Sequence, residues 1–158
     1  MKLPESSEWA LHCAASLAQL APEDTVSTRR LAEHFGVPAP YLAKQLAHLV
    51  RGGVLAGTTG PRGGFRLARP ASRITVLDII EAVDGAADPY RCREIRQQGR
   101  GALPEEDCRE PCVLAVTMHR AHQAWRSSLA AVTLADVVGT LAPGVPDRTR
   151  RLLTGAEG

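Results

Sequence analysis

Aromatic side chains are scarce in this chain: two each of Trp, Tyr and Phe make up 4% of 158 residues, so the core must come mainly from Leu, Val and Ala. Long apolar runs are missing too. Nothing approaches the roughly 20 residues that span a bilayer, and Met1-Lys2-Leu3-Pro4-Glu5 opens without a secretory run. Both features lead us to expect a cytoplasmic chain with no membrane partner. The sequence has no internal repeat, no nucleotide-binding glycine motif and no Ser-His-Asp grouping, which argues against an enzyme. Acids are nearly absent from residues 27–70, where Arg29, Arg30, Lys44, Arg51, Arg62, Arg66 and Arg69 face Glu33 alone, although the whole chain carries a formal charge of only +2. A basic stretch of this kind suits a phosphate-bearing partner.

From Glu5 to about Ala21 the pattern reads as a helix, with Ala10, Cys13, Ala14, Leu17 and Leu20 on one side and Pro22 closing it. A step of about 100° per residue puts Glu8 and His12 together on the opposite face. Ser27 or Thr28 can cap a short helix ended by Gly36, and a second helix follows Pro38 and Pro40, with apolar positions at 42, 46, 49 and 50. Two short helices around a glycine turn make a helix-turn-helix, whose second member would present Tyr41, Lys44, Gln45 and His48 outward. Residues 54–57 and 65–70 flank a Gly- and Pro-rich turn with Arg62 at its tip, which reads as a hairpin wing. The expected fold is therefore mainly α with a small β-hairpin: a winged helix-turn-helix over residues 1–85. Its last helix, Ile74 to Val83, ends at Gly85. A loop follows over residues 86–111. Leu114, Met118, Ala121, Trp125 and Val132 then recur as the seam of a long helix within residues 112–141, with a short helix after it. Residues 142–158 read as a mobile polar tail.

Three of the four cysteines lie in the loop, at positions 92, 108 and 112, in a stretch too polar and glycine-rich to be core. In a reducing compartment such clusters are more often metal ligands or redox thiols than structural disulfides. Cys108 and Cys112, with three residues between them, can hold one metal ion, whereas Cys92 is separated from Cys108 by fifteen residues and is an accessory thiol as readily as a ligand. Zinc, an iron-sulfur cluster and a labile disulfide all remain open at this point. Glu8 and His12 are either an ordinary solvated pair or a second pair of ligands, since i and i+4 converge on a helix. Cys13 falls on an apolar face and reads as a small buried hydrophobe. Trp9 and Trp125 read as core and seam packing, and Trp9 is also a switch candidate because it lies between Glu8 and His12.

Tyr41-Leu42-Ala43-Lys44-Gln45-Leu46, the wing Gly60-x-x-Gly63-Gly64-Phe65-x-Leu67-Ala68-Arg69-Pro70, the run Ile74 to Gly85 and the cysteine loop together resemble the IscR/NsrR/RsrR family of winged-helix regulators, which bind iron-sulfur clusters. Glu8-Trp9-Ala10-Leu11-His12-Cys13 and Cys92-x-Glu94-Ile95-Arg96-Gln97 look most like the RsrR branch, whose members carry a redox-active 2Fe-2S cluster. The resemblance implies a homodimer with crossing C-terminal helices, in which Cys108 and Cys112 of one subunit and Glu8 and His12 of the other hold the cluster. It implies a redox-sensing transcription regulator acting on a double-stranded DNA operator. Lys44 and Gln45 would reach base edges, Gln45 with the bidentate geometry that suits adenine. Arg29, Tyr41, His48, Arg62 and Arg66 would complete the DNA surface. The rival readings are a zinc-stabilised or thiol-disulfide repressor on the same scaffold and, more remotely, an electron-transfer protein.

Overall fold

The computed structural model describes residues 3–60 and 63–155, so Arg62 lies outside the described residues. They divide into two compact units, one made of Ala86–Ser128 and the other of the residues on either side of that stretch.

The larger unit begins with α1 (Glu5–Leu17), α2 (Thr28–Phe35) and α3 (Ala39–Arg51). Helix α1 stops short of the expected Ala21, because the Gln19 and Leu20 amides bond back three residues, to Ser16 and Leu17, and tighten the chain out of α geometry. Ser27 caps α2 by accepting the Arg30 amide, and Gly36, at φ 68°, turns the chain left-handed to end it. The wing is the antiparallel pair β1 (Leu55–Thr58) and β2 (Gly64–Leu67), in register Leu55 to Leu67 and Thr58 to Gly64. Val26 joins its edge through reciprocal backbone bonds with Phe65, at 3.0 and 2.9 Å.

Helix α4 (Val76–Asp84) starts two residues later than expected because Thr75 and Asp78 form a reciprocal capping box; Ile74 is spent as a buried anchor just before it. Helix α5 spans Val113–Ala130 and α6 spans Leu134–Gly139, the latter opening on a second such box between Thr133 and Asp136. The two boxes lie side by side. The Val76 amide donates to the Val132 carbonyl at 2.9 Å, and the Leu134 amide to the Ile74 carbonyl at 2.8 Å.

Residues 145–154, expected to belong to a mobile tail, form helix α7 (Val145–Thr154). Its polar composition hides a sparse apolar stripe. Leu153 is buried in the core, and its carbonyl accepts from Arg30 Nη1 at 2.9 Å, which ties α7 to α2. The core of this unit is aliphatic, as the shortage of aromatics required: Leu31, Leu42, Leu46, Leu49, Ile79 and Leu134 are all but fully buried.

The smaller unit carries 3-10 turns at Ile95–Gln97 and Glu105–Cys108, followed by most of α5. No helix among the described residues is long and apolar enough to cross a membrane.

Candidate functional site

The helix-turn-helix places its sequence candidates unequally. Lys44 and Tyr41 are exposed, and Arg29 is exposed beside Glu33 at 3.8 Å, while His48 and Arg66 are half-buried. Gln45 is not available to a base edge at all, being only 4% exposed. Leu42, Gln45, Leu46 and Leu49 form one buried stripe, and Val50, expected inside, is 37% exposed. A polar residue thus occupies a core position, and the outward face of α3 runs through Pro40, Ala43, Lys44, Ala47 and Arg51. Arg51 is a contributor to this face that the motif reading passed over. Arg30 is exposed, with its guanidinium tied to the Leu153 carbonyl. Lys44→Ala is expected to weaken binding to duplex DNA by about tenfold and, if Lys44 meets a phosphate, to flatten the salt dependence by about one unit of slope. Filter binding over a salt series measures both.

The cysteine loop is drawn together by Arg96. Its guanidinium donates to both carboxylate oxygens of Glu94, through Nη2 at 2.8 Å and through Nε, and also to the Glu110 carbonyl at 3.0 Å. Glu94 adopts φ 49°, the one positive φ among the described non-glycine residues, so this bidentate pair holds a bend that a carboxylate side chain would not choose alone. Glu94 above all, and then the nearby Cys108 and Cys112, raise the proton affinity of the same guanidinium. Cys112 stands at the start of α5, where the Ala115 and Leu114 amides point at its sulfur; those bonds, then Arg96, then a bond from Cys92, hold the thiol below its ordinary value. The structure therefore gathers Cys92 and Cys112 into contact, with Cys108 sharing the same cation.

Neither Glu94 nor Arg96 was assigned a role by residue spacing. Their signal was present only as part of the Cys92-x-Glu94-Ile95-Arg96 motif.

Near the base of the loop, Asp88 Oδ2 lies 3.1 Å from His119 Nδ1 and 3.6 Å from His122 Nδ1 on α5, and the buried His122 ring stacks on Trp125 at 5.9 Å. Nothing in the sequence pattern marked this cluster, because Asp88 stands thirty-one or more positions from the histidines it meets. Among the described residues, no three His, Cys, Asp or Glu side chains converge as a ready metal site.

On α1, Glu8 and His12 are both exposed. Trp9, between them, is half-buried, with its indole N–H donating to Glu5 at 3.1 Å and its ring meeting Phe35 edge-on at 5.9 Å. Cys13 is fully buried, and burial pushes its thiol up to about 12. Alkylation of the native chain at about pH 8 is expected to spare Cys13 while modifying the loop thiols, as read by peptide mass mapping.

The sequence profile of the Rrf2 family, described as iron-dependent transcriptional regulators, matches residues 3–140. The Mycobacterium tuberculosis chain Rv1287, whose name places it among HTH-type transcriptional regulators, is 31% identical over 144 residues, 90% of this chain and 84% of its own. Solved structures share the fold. The global cysteine regulator CymR of B. subtilis superposes with a TM-score of 0.70 over 90% of this chain and 99% of its own at 22% identity. T. potens IscR does so with 0.66 over 91% and 94% at 24% identity. The match over nearly the whole winged helix, loop and long helix means that this chain belongs to the Rrf2 family of transcriptional regulators, which are DNA-binding proteins and not enzymes.

Proposed function

We propose that this regulator acts as a homodimer that senses redox state through a 2Fe-2S cluster, bound by Cys108 and Cys112 of one subunit and by Glu8 and His12 of the other. The observation that carries the reading is the lowering of the Cys112 thiol by the α5 amides, with Cys108 beside the same Arg96 cation. Two cysteines beside one cation fit half of a cluster site, and a 2Fe-2S cluster takes four protein ligands, so two more are needed. Glu8 and His12, exposed one helical turn apart on α1, are a ligand pair of the right chemistry to be offered to a second copy. The exposed seam of α5, with Leu114 65% and Met118 43% accessible, supports a second chain as the partner that covers it.

When bound, the cluster supplies a one-electron couple. The chain's own part is to position ligands of different character. Cys112 is held by backbone amides and Arg96, whereas His12 offers an imidazole nitrogen and Glu8 a carboxyl oxygen. Trp9, adjacent to both α1 ligands and packed on Phe35 of α2, is the residue through which a shift at α1 reaches the helix-turn-helix. Lys44 and the outward face of α3 would enter the major groove, with the wing against the backbone or minor groove, on a near-palindromic operator that mirrors the dimer. A regulator of this kind works in the cytoplasm, with the chromosome. The test is anaerobic purification with iron and sulfide analysis and a visible spectrum: a brown protein with two irons per chain supports the reading. A colourless protein containing zinc overturns it.

A second reading rests on the bond between Cys92 and Cys112. Two thiols in contact, one already inclined to ionise, can close to a disulfide, giving up two protons and two electrons to a peroxide that is reduced to water. Peptide mapping of peroxide-treated, iron-free protein would reveal a Cys92–Cys112 crosslink if it operates.

A further inference from the structure

Helix α7 carries Arg148, Arg150 and Arg151 against the single acid Asp147, and nothing in the reading above uses them. Thr149 and Leu153 are its buried positions, so Arg151 projects away from the body of the unit, with Arg150 on the same flank as Thr154 and Arg148 on the other. All three arginines are exposed. Asp147 meets Arg150 at 3.2 Å, but at an accessible surface, where such a pair is weak. No ion pair among the described residues engages Arg148 or Arg151. The result is a net positive ridge about 15 Å long.

The position of this ridge decides its partner. Helix α7 lies along α2 in the opposite direction. Near the end of α7, the Leu153 carbonyl accepts from Arg30 at the start of α2. Near its beginning, Arg148 acts on His34 towards the end of α2, where burial first and then this charge keep the imidazole towards its neutral form. Thr154 shares one open cleft of about 500 Å³ with Ser27 and Arg30 at the start of α2 and with Gly63, which immediately precedes β2 of the wing. The first helix of a helix-turn-helix crosses the phosphate backbone when the second enters the major groove. A helix fastened along α2 and ending beside the root of the wing is therefore carried to the duplex by the same docking. Glu23 and Asp24 also line the cleft and would repel a phosphate there, which leaves the contact to the outer arginines of α7.

We propose that α7 is a further DNA-binding element, in which Arg150 and Arg151 hold phosphates of the duplex backbone flanking the sequence read by α3. The guanidinium fork suits phosphate oxygens, and such contacts fix position without reading bases. The ridge adds to the exposed Arg29 and Arg30 of α2 and so continues a surface that already faces DNA. The inference rests on DNA binding alone and not on the cluster reading.

The experiment uses the full chain and a duplex that it selects in vitro, prepared as the selected sequence alone and with one further helical turn of arbitrary sequence at each end. Every variant is compared in the same preparation state, so whichever state of the cysteine loop binds DNA is common to all. The flanks should tighten wild-type binding about tenfold and steepen its salt dependence by about two units of slope per chain, the mark of two added phosphate contacts. The gain should be the same whatever the flanking sequence. Arg150→Gln combined with Arg151→Gln should erase both effects while leaving binding to the short duplex unchanged. Arg150→Lys combined with Arg151→Lys should keep most of the gain, because Lys still meets a phosphate as a point charge. Lys44→Ala should instead weaken binding to both lengths alike.

A wild type that gains nothing from the flanks, or a double Gln variant that gains as much as the wild type, overturns the proposal. So does a gain that varies with the flanking sequence, a double Lys variant no better than the double Gln variant, or an equal loss on both lengths. Should the double Gln variant lose its helical signal by circular dichroism, Arg151→Gln carries the test, with an expected loss of about one unit of slope confined to the long duplex. A ridge that serves an acidic protein surface instead would leave DNA binding by the double Gln variant equal to the wild type on both lengths, and that outcome also overturns the proposal. None of these failures touches the iron and visible-spectrum test of the cluster.

Discussion

Cys112→Ala is expected to leave the anaerobically purified protein without bound iron and without visible absorbance, and Cys108→Ala to do the same, while Cys92→Ala keeps the iron of the wild type. Cys112 is the thiol that the fold prepares, with two α5 amides and Arg96 directed at its sulfur. Cys108 has only the shared cation, and ends the 3-10 turn Glu105–Cys108 four positions before Cys112. Cys92 is exposed and touches Cys112 as a donor, a position suited to support rather than ligation. The loss should be specific. The loop contributes no residue to the aliphatic core, so circular dichroism and the thermal midpoint should move by no more than the about 0.5 kcal/mol typical of surface substitutions. Iron analysis and the visible spectrum, taken beside the melting curve, separate lost ligation from lost folding. If Cys92→Ala instead abolishes a peroxide response in protein that never held iron, the disulfide reading takes the place of the cluster.

Local chemistry made much of the fold readable. Ser27, Gly36 and Gly85 punctuate the helices where their hydrogen-bonding and φ preferences require, and the Gly-rich turn between two short β-forming runs produces the wing. Helix α7 was missed because its composition is polar and its stabilisation is tertiary: Leu153 and the Arg30 bond are separated from their partners by more than a hundred residues. Gln45 was misplaced because residue type was weighed above phase. Its spacing from Leu42 and Leu49 puts it on the buried stripe whatever its polarity.

The candidate metal site was legible only in part. Cysteine spacing singles out Cys108 and Cys112, but the clamp that shapes their loop joins Glu94 to Arg96 and Arg96 to Glu110, a pairing decided by a left-handed bend no sequence rule anticipates. The Asp88 contacts to His119 and His122 likewise arise only once the loop has folded back along α5.

Gly64→Ala is expected to destabilise the chain by about 3 kcal/mol, combining the strain of overpacking with weakened hydrogen bonds. A Cβ at position 64 would stand 2.6 Å from the Val26 carbonyl carbon and 2.7 Å from its oxygen, with the Ser27 nitrogen at 3.0 Å. These are backbone atoms, so no side chain can swing aside; the strand must move. Such a displacement breaks the reciprocal bonds between Val26 and Phe65 that fasten the wing to the segment entering α2, and disturbs Ser27, the residue that caps that helix. For a chain of this size, about 3 kcal/mol corresponds to a fall in thermal midpoint of roughly 6–12 °C. Gly139→Ala is the control: the new methyl meets nothing within 4 Å and ends a helix, so stability should stay within about 0.5 kcal/mol or rise slightly. Because the wing and α2 shift together, Gly64→Ala should lose DNA affinity even well below its melting temperature, where circular dichroism still reports a folded chain. A Gly64→Ala protein that melts with the wild type and binds DNA as tightly would mean that the approach of β2 to Val26 is looser than these distances require.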